Sequence, residues 1–167
     1  MIRDATQDDA AAIAEIYNDA VRHTTAIWND IEIDAQNRSD WIADRQGAGY
    51  PVLVWEEAGR AVGYASFGPF RPHDGYHLSV EHSVYVHRDH RGGGKGAQMM
   101  AALIDRAREG GFHVMVGAID ASNEGSVRLH ERLGFQHIGT MPQVGKKFGR
   151  WLDLALLQLV LDDRAQP

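Results

Sequence analysis

Residues 91–96 read Arg-Gly-Gly-Gly-Lys-Gly and stand between a strand-like run and a helix-like run. Before them, His82-Ser83-Val84-Tyr85-Val86 is β-branched and aromatic, the composition of a strand. After them, Met100, Leu103, Ile104 and Ala107 recur at helical spacing within 97–108. The next strand-like run is Val114 to Ile119, and a strand–helix–strand crossover makes its two strands parallel. The chain is thereby committed to a mixed α/β fold. A glycine turn feeding a helix also exposes backbone N–H groups with no helical partner, and with the helix dipole these suit a phosphate or pyrophosphate. Arg91 and Lys95 add positive charge there.

Spacing separates the phosphate-binding motifs. A P-loop needs Gly-x-x-x-x-Gly-Lys-Ser/Thr, but Lys95 is followed by Gly96. Gly92, Gly94 and Ala97 can be forced into a dinucleotide fingerprint. That fingerprint opens a first βαβ unit and has an acidic residue about 20 positions on; here it falls past mid-chain with no such residue. A turn without a ligand is the plain alternative, yet four glycines in residues 92–96 are more than a turn requires.

The rest of the chain reads as early helices, an antiparallel meander, then βαβαβ. Ile2 to Ala5 forms a short strand, and Thr6-x-x-Asp9 is a capping box. Ile13, Ile16, Tyr17, Ala20 and Val21 make one helical stripe. Residues 24–33 are loop. Asp34 caps a second helix reaching Arg45, with Trp41 and Ile42 inward, and Gly47 and Gly49 end it. Pro51–Glu56 and Val62–Phe67 form a hairpin turning at Gly59; 68–76 is loop; His77–Val86 is the long central strand. Gly110-Gly111 stops the next helix. Val114–Ile119 (strand), Asn123–Leu133 (helix), Gln136–Met141 (strand) and Trp151–Leu161 (strand) complete the order.

At 167 residues this is a single domain over 1–167, large enough for a core. A net charge of −6 argues against a nucleic-acid partner or an anionic membrane surface. The absence of cysteine excludes disulfides, zinc–thiolate sites and an acyl-cysteine intermediate. The N-terminus is not a signal peptide and no apolar run is of membrane-spanning length, so a cytoplasmic protein is expected. His73, His77, His82, His87 and His90 lack metal-ligand spacing, and His77 and His82 would point to opposite faces of one strand, so no metal is expected.

The pattern Arg91-x-x-Gly94-x-Gly96 resembles the Q/R-x-x-G-x-G/A pyrophosphate loop of the GNAT acetyltransferase superfamily, which binds acetyl-CoA. Asn123-Glu124-Gly125-Ser126-Val127-Arg128-Leu129-His130, continuing to Gly134-Phe135, is similar to that superfamily's later segment. Val80-Glu81-His82-Ser83-Val84-Tyr85-Val86, Val127-Arg128-Leu129-His130 and the run from Met141 to Trp151 resemble the branch that acetylates phosphinothricin and methionine sulfoximine. Ile16 to Val21 and Thr24 to Trp28 fit the same branch, so the resemblance spans nearly the whole chain.

The resemblance implies a GNAT fold, a central mixed sheet of about seven strands with about four helices. It implies acetyl-CoA as acetyl donor, held by Arg91, Gly92, Gly93, Gly94, Lys95, Gly96 and Ala97 at the pyrophosphate and by the backbone of Val84, Tyr85 and Val86 along pantetheine, with Asn123 and Ser126 on the same arm. The parallel strands are implied to splay apart around the pantetheine. Glu81 is implied as general base and His130, standing where most of the superfamily has Tyr, as proton donor or water holder. Arg71, Pro72, His73, Glu81, His82 and Ser83 are implied to form the amino-acid pocket, with Arg71 suited to a carboxylate. Trp28, Phe70 and Phe148 could wall it, and residues 68–76 and 141–151 would close it.

Each assignment has a plainer alternative. Glu81 could be a solvent-facing strand charge, His130 a half-buried helix residue, Asn123 a helix cap and the aromatics core. The expected activity is direct acetyl transfer, in a ternary complex, to the α-amine of a small L-amino acid such as methionine sulfoximine, methionine sulfone or phosphinothricin. The competing expectations are a GNAT enzyme acting on a protein N-terminus or lysine, and a non-catalytic acyl-CoA-binding module. The long final strand and early helices favour a homodimer, as the branch commonly forms.

Overall fold

The computed structural model describes residues 1–167. In chain order it contains β1 (Ile2–Asp4), α1 (Ala10–His23), α2 (Ala35–Gly47), β2 (Val52–Glu57), β3 (Arg60–Pro69), β4 (Ser79–Val86), α3 (Lys95–Glu109), β5 (Val114–Asp120), α4 (Glu124–Arg132), β6 (Gln136–Lys147) and β7 (Arg150–Val160). The seven strands follow the order β1-β2-β3-β4-β5-β7-β6. This is the expected mixed α/β sheet of seven strands with four helices. No helix is long and apolar enough to cross a membrane. The chain divides into two compact units, Met1–Phe67 with Ser83–Leu103, and Gly68–His82 with Ile104–Pro167.

The first unit is built on the helical stripe. Ile13, Ile16 and Ile42 are buried against Val52, Val54 and Tyr64. Each such side chain contributes roughly 1.5–3 kcal/mol by leaving water. Arg38 lies over the rings of Tyr17 and Trp41, at 5.0 and 4.7 Å, and Trp41 meets Tyr64 edge-on. The β2–β3 hairpin turns through Ala58 and Gly59, both at positive φ, the conformation that a two-residue hairpin loop demands. Gly63 is held small by its neighbours: a Cβ there would lie 3.1 Å from the Tyr85 carbonyl and 3.2 Å from Met99 Sδ.

The second unit carries the longer ladders. β5 pairs antiparallel with β7 from Val114↔Val160 to Asp120↔Leu154, and β7 pairs with β6. Met115, Leu157 and Phe135 are buried. The parallel β4–β5 ladder also lies here, over Ser79↔Val114, Val80↔Met115 and Glu81↔Val116.

Three boundaries differ from expectation. The chain after Thr6 forms a 3-10 turn, Gln7–Asp9, before α1 starts at Ala10. The central strand starts at Ser79 rather than His77, because Asp74–Tyr76 is a 3-10 turn whose carbonyl at Asp74 accepts the His77 N–H. His77 therefore lies outside the strand, and the alternation argument for His77 and His82 does not apply. β6 does not stop at Met141: it runs to Lys147, and a register shift between Met141 and Gly145 absorbs the Pro142 to Val144 insertion. Residues 141–151, expected over the pocket, are the far half of the β6–β7 hairpin.

The capping box anchors the first unit's edge. Asp9 is buried, accepts from Arg3 at 2.7 and 2.9 Å and from the Thr6 N–H at 2.8 Å. Burial alone would raise its carboxyl pKa, but the bonds from Arg3 and Thr6 outweigh it and hold the group below the usual range. A carboxyl depressed in the folded state stabilises above its unfolded pKa, and that stabilisation is lost as pH falls through the folded value. Asp9→Asn should thus cost about 1–3 kcal/mol near neutral pH, read by urea unfolding. Its deficit against the parent should shrink in acid.

Candidate active site

The glycine turn takes the shape expected of it. Gly92, Gly93 and Gly94 have φ of 96°, 62° and 75°, where a side chain costs about 1–2 kcal/mol. A Cβ on Gly92 or Gly96 would meet nothing within 4 Å, and one on Gly93 only Lys95 Nζ at 3.9 Å. The space over the turn is therefore open. The Gln98 N–H donates to the Gly94 carbonyl at 3.0 Å, so the N–H groups of Lys95, Gly96 and Ala97 precede the helical ladder. The donor set and the open turn fit a diphosphate.

The two cations of the turn are held by carboxylates of the same unit. Arg91 Nε donates to the Val86 carbonyl at 3.1 Å, and its Nη2 lies 3.7 Å from Asp19 Oδ2. Arg88 Nε lies 3.4 Å from the other oxygen of Asp19, which is buried. Lys95 Nζ is 3.1 Å from Glu57 Oε1, and His90 Nδ1 is 3.1 Å from Glu57 Oε2. The His90 bond, then the Lys95 bond, hold the Glu57 carboxyl below its usual range. Sequence reasoning assigned Asp19 and Glu57 no part. An aspartate inside the apolar stripe of α1 was the readable signal for the first; nothing marked the second.

Glu81 forms the last parallel pair of β4 and is exposed. Beyond it β4 continues to Val86 and β5 to Asp120. Alternation along the strand puts Val80 and His82 on the face opposite to Glu81; Val80 is fully buried. His82 meets α4. Its Nε2 is 3.0 Å from His130 Nε2, the rings stack at 5.0 Å between centroids, and Phe135 stands edge-on to both. Gly117 of β5 makes room: a Cβ there would lie 2.9 Å from His82 Nε2 and 3.3 Å from His130 Nε2. A glycine inside a strand pattern signals such a close approach, but the sequence did not say what approached.

The tautomers follow from the partners. His130 Nδ1 is 2.7 Å from the Ser126 carbonyl, which can only accept, so this nitrogen carries the proton. Burial lowers the pKa of His130, partly offset by that bond; burial, then His130, lowers that of His82 to about 3. Both shifts favour the neutral rings. His130 Nε2 is then an acceptor, and His82 Nε2–H must donate to it. That leaves His82 Nδ1 as a bare lone pair, and it is buried with no hydrogen-bond partner.

The remaining expected residues occupy local settings. Asn123 caps α4, its Oδ1 accepting from the Ser126 N–H at 3.1 Å. Arg71 is exposed and lies 5.0 Å from the Phe70 ring, and His73 and Phe70 both approach Tyr76. Pro72 is exposed and Ser83 half-buried. Trp28 Nε1 donates to the Thr25 carbonyl. Phe148 sits at the β6–β7 turn, 56% exposed, and forms no wall within its own unit. No group of three His, Asp or Glu is placed to hold a metal ion.

Comparison with known proteins fits this arrangement. Residues 13–135 match the acetyltransferase (GNAT) family, and the chain belongs to that family. It is 57% identical to the L-amino acid N-acyltransferase MnaT of Escherichia coli, over 99% of this chain and 96% of the relative. It is equally 57% identical to the L-methionine sulfoximine/L-methionine sulfone acetyltransferase of Salmonella typhimurium, over 99% and 97%. A Salmonella typhimurium protein solved with its cofactor acetyl-CoA superposes with a TM-score of 0.97 at 56% identity, covering 100% of this chain and 96% of that one.

Gly117→Ala would press a methyl group into the paired imidazoles. The expected loss is about 1–3 kcal/mol from overpacking, seen as a lower melting temperature. A variant as stable as the parent would show that the pair yields at no cost.

Proposed function

We propose that this chain is an acetyl-CoA-dependent N-acetyltransferase acting on the α-amine of a small L-amino acid or analogue, with methionine sulfoximine and methionine sulfone foremost and phosphinothricin as a further acceptor. The observation that carries this is the 57% identity to the sulfoximine/sulfone enzyme along 99% of the chain. The open glycine turn with Arg91 and Lys95 supports the acyl-CoA half independently. The whole of 1–167 serves as one acetyltransferase domain, and we place it in the cytoplasm, where acetyl-CoA is available.

Acetyl-CoA supplies an activated thioester; the chain binds and orients it. Arg91, Gly92, Gly93, Gly94, Lys95, Gly96 and Ala97 receive the diphosphate. Val84, Tyr85 and Val86 offer backbone groups to pantetheine and to the developing oxyanion, with Asn123 and Ser126 beside the arm. Glu81, exposed at the end of the parallel ladder, removes the ammonium proton so that the amine can attack. Arg71, unpaired with any carboxylate, receives the amino acid's carboxylate. Pro72, His73, His82 and Ser83 shape the pocket, and His130 manages a proton. With no cysteine in the chain, transfer is direct.

We also propose a homodimer. Ile138, Met141, Val144, Phe148 and Trp151 are all exposed on the β6–β7 hairpin, and large apolar surfaces rimmed by polar residues mark association sites. Light scattering should give a mass of two chains, reduced to one by Trp151→Asp with Phe148→Asp.

Thiol release from acetyl-CoA tests the activity. The panel is L-methionine sulfoximine, L-methionine sulfone, phosphinothricin, the common amino acids and short peptides. Turnover should concentrate on the first three. Glu81→Gln should lower kcat about 10²–10⁴-fold, and Arg71→Ala should act mainly on the KM of the amino acid. Turnover confined to peptides would instead favour a protein-acetylating enzyme, and acetyl-CoA binding without any turnover a binding module.

A further inference from the structure

Asp19 stands on α1 beside Ile16, Ala20 and Val21 and is buried with them, at 4% exposure. A carboxylate taken out of water is costly unless donors or cations meet it. Here its contacts all fall on residues 88–91. Arg88 Nε is 3.4 Å from Oδ1, the Arg88 N–H is 3.4 Å from Oδ2, and Arg91 Nη2 is 3.7 Å from Oδ2. One buried negative charge thus faces two guanidinium groups, and neither reaches the separation of about 2.7–2.9 Å that a committed pair adopts. The Arg3–Asp9 pair of the same unit does reach it, at 2.7 and 2.9 Å. Asp19 is shared, not owned. Its helix holds it in place, while the side chains of Arg88 and Arg91 are 52% and 51% exposed and free to turn.

We infer that Arg88 is a positioning residue of the acyl-CoA site and acts through Asp19. It is the reserve counter-ion that lets Arg91 leave the buried carboxylate for the diphosphate of the ligand. The inference rests on the reading above, in which Arg91 receives that diphosphate. In the free protein Asp19 has two cations. When the ligand binds, the Arg91 guanidinium turns toward it and gives up only the longer of the two ion pairs. Arg88 then keeps Asp19 satisfied with its Nε and its own N–H.

Without Arg88, Arg91 would be the one cation facing a buried carboxylate. A diphosphate could then draw Arg91 away only by stranding that charge, which is the costly way to break a buried pair. Arg88 therefore governs affinity without touching the ligand. Its other acidic neighbour does not take over this part. Asp89 Oδ1 lies 3.8 Å from Arg88 Nε, but that side chain is 70% exposed and water already serves it. The same logic makes Arg88 dispensable once Asp19 carries no charge. What matters at position 88 is a cation within reach of Asp19, not the shape of the side chain.

A double-mutant cycle on the full chain tests this, with acetyl-CoA affinity read by titration calorimetry. Arg88→Gln should raise the Kd about tenfold in the parent background. In the Asp19→Asn background the same change should move it by less than about twofold. Arg88→Lys, which keeps a cation for Asp19, should stay within about twofold of the parent. The KM for acetyl-CoA should follow the Kd, with kcat and the amino-acid KM unchanged. An equal loss in both backgrounds would show Arg88 acting on the ligand itself and would overturn the inference. So would a loss seen with acetyl-CoA but absent with its 3′-dephospho analogue, since Arg88 would then be a ligand of the 3′-phosphate. Should Arg88→Gln alone not fold, Asp19→Asn against Asp19→Asn/Arg88→Gln still decides, because neither chain buries an unpaired charge; a tenfold gap between them rejects the counter-ion role. Arg91→Gln at parent Kd would sink the diphosphate reading and the inference with it, a result distinct from additivity at Arg88.

Discussion

Three parallel pairs, from Ser79↔Val114 to Glu81↔Val116, set the terms for the site. Parallel neighbours cannot be joined by a hairpin, so α3 has to carry the chain from the end of β4 to the start of β5. The glycine turn is the place where that crossover begins, and its open donors are a by-product of turning sharply into a helix. Toward the same, C-terminal end of the strands, the last pair of the ladder leaves Glu81, His82 and Gly117 near the point where β4 and β5 stop pairing. β5 can lose that partner because its other edge is held along its whole length by β7. Val80 and Met115, both fully buried, lock the pairs that remain.

The geometry of the candidate site depends on what is small or neutral. Gly117 lets two rings stack where any side chain would collide. Burial favours uncharged rings, and the Ser126 carbonyl dictates which nitrogen of His130 holds hydrogen. One backbone acceptor thus determines the state of an imidazole in another secondary-structure element. The cations at the turn obey a different logic. Arg91 and Lys95 are held by Asp19 and Glu57 in ion pairs that are partly open to solvent, where such pairs are weak and exchangeable. A dianionic ligand can draw Arg91 away while Arg88 still faces the buried Asp19, and Glu57 is open enough to water to release Lys95.

The elements whose periodicity was strong were legible in the sequence. The α1 stripe, the Asp34 cap with its bond to the Asn37 N–H, the glycine turn and the β5–α4 order all follow from local pattern. The start of β4 was misjudged because His77 obeys a local turn with Asp74, a contact that alternation does not encode. The reach of β6 was misjudged because Pro142 reads as a break, whereas the strand accommodates it with a bulge in which Gln143 takes φ 55° and donates to Asp153. In the candidate site, the position of Arg91 and Lys95 at the glycine turn was readable from motif and charge. The His82–His130 contact was not, since it joins residues far apart in sequence through a glycine whose purpose only packing reveals. Asp19 and Glu57 were likewise hidden, because their roles rest on residues distant in sequence.

The bulge in β6 has a consequence for behaviour at high concentration. β6 closes one end of the strand order and β1, three residues long, closes the other. An uninterrupted outer row of N–H and C=O groups would be a template on which further chains could stack without limit. In β6 that row is broken by the shift between Met141 and Gly145, and Pro142 supplies no N–H at all. The exposed side chains of the hairpin can therefore be covered by a partner's side chains, but the backbone beneath them cannot seed a continuous cross-chain sheet. The outer edge of β6 is on these grounds a poor template for fibril growth.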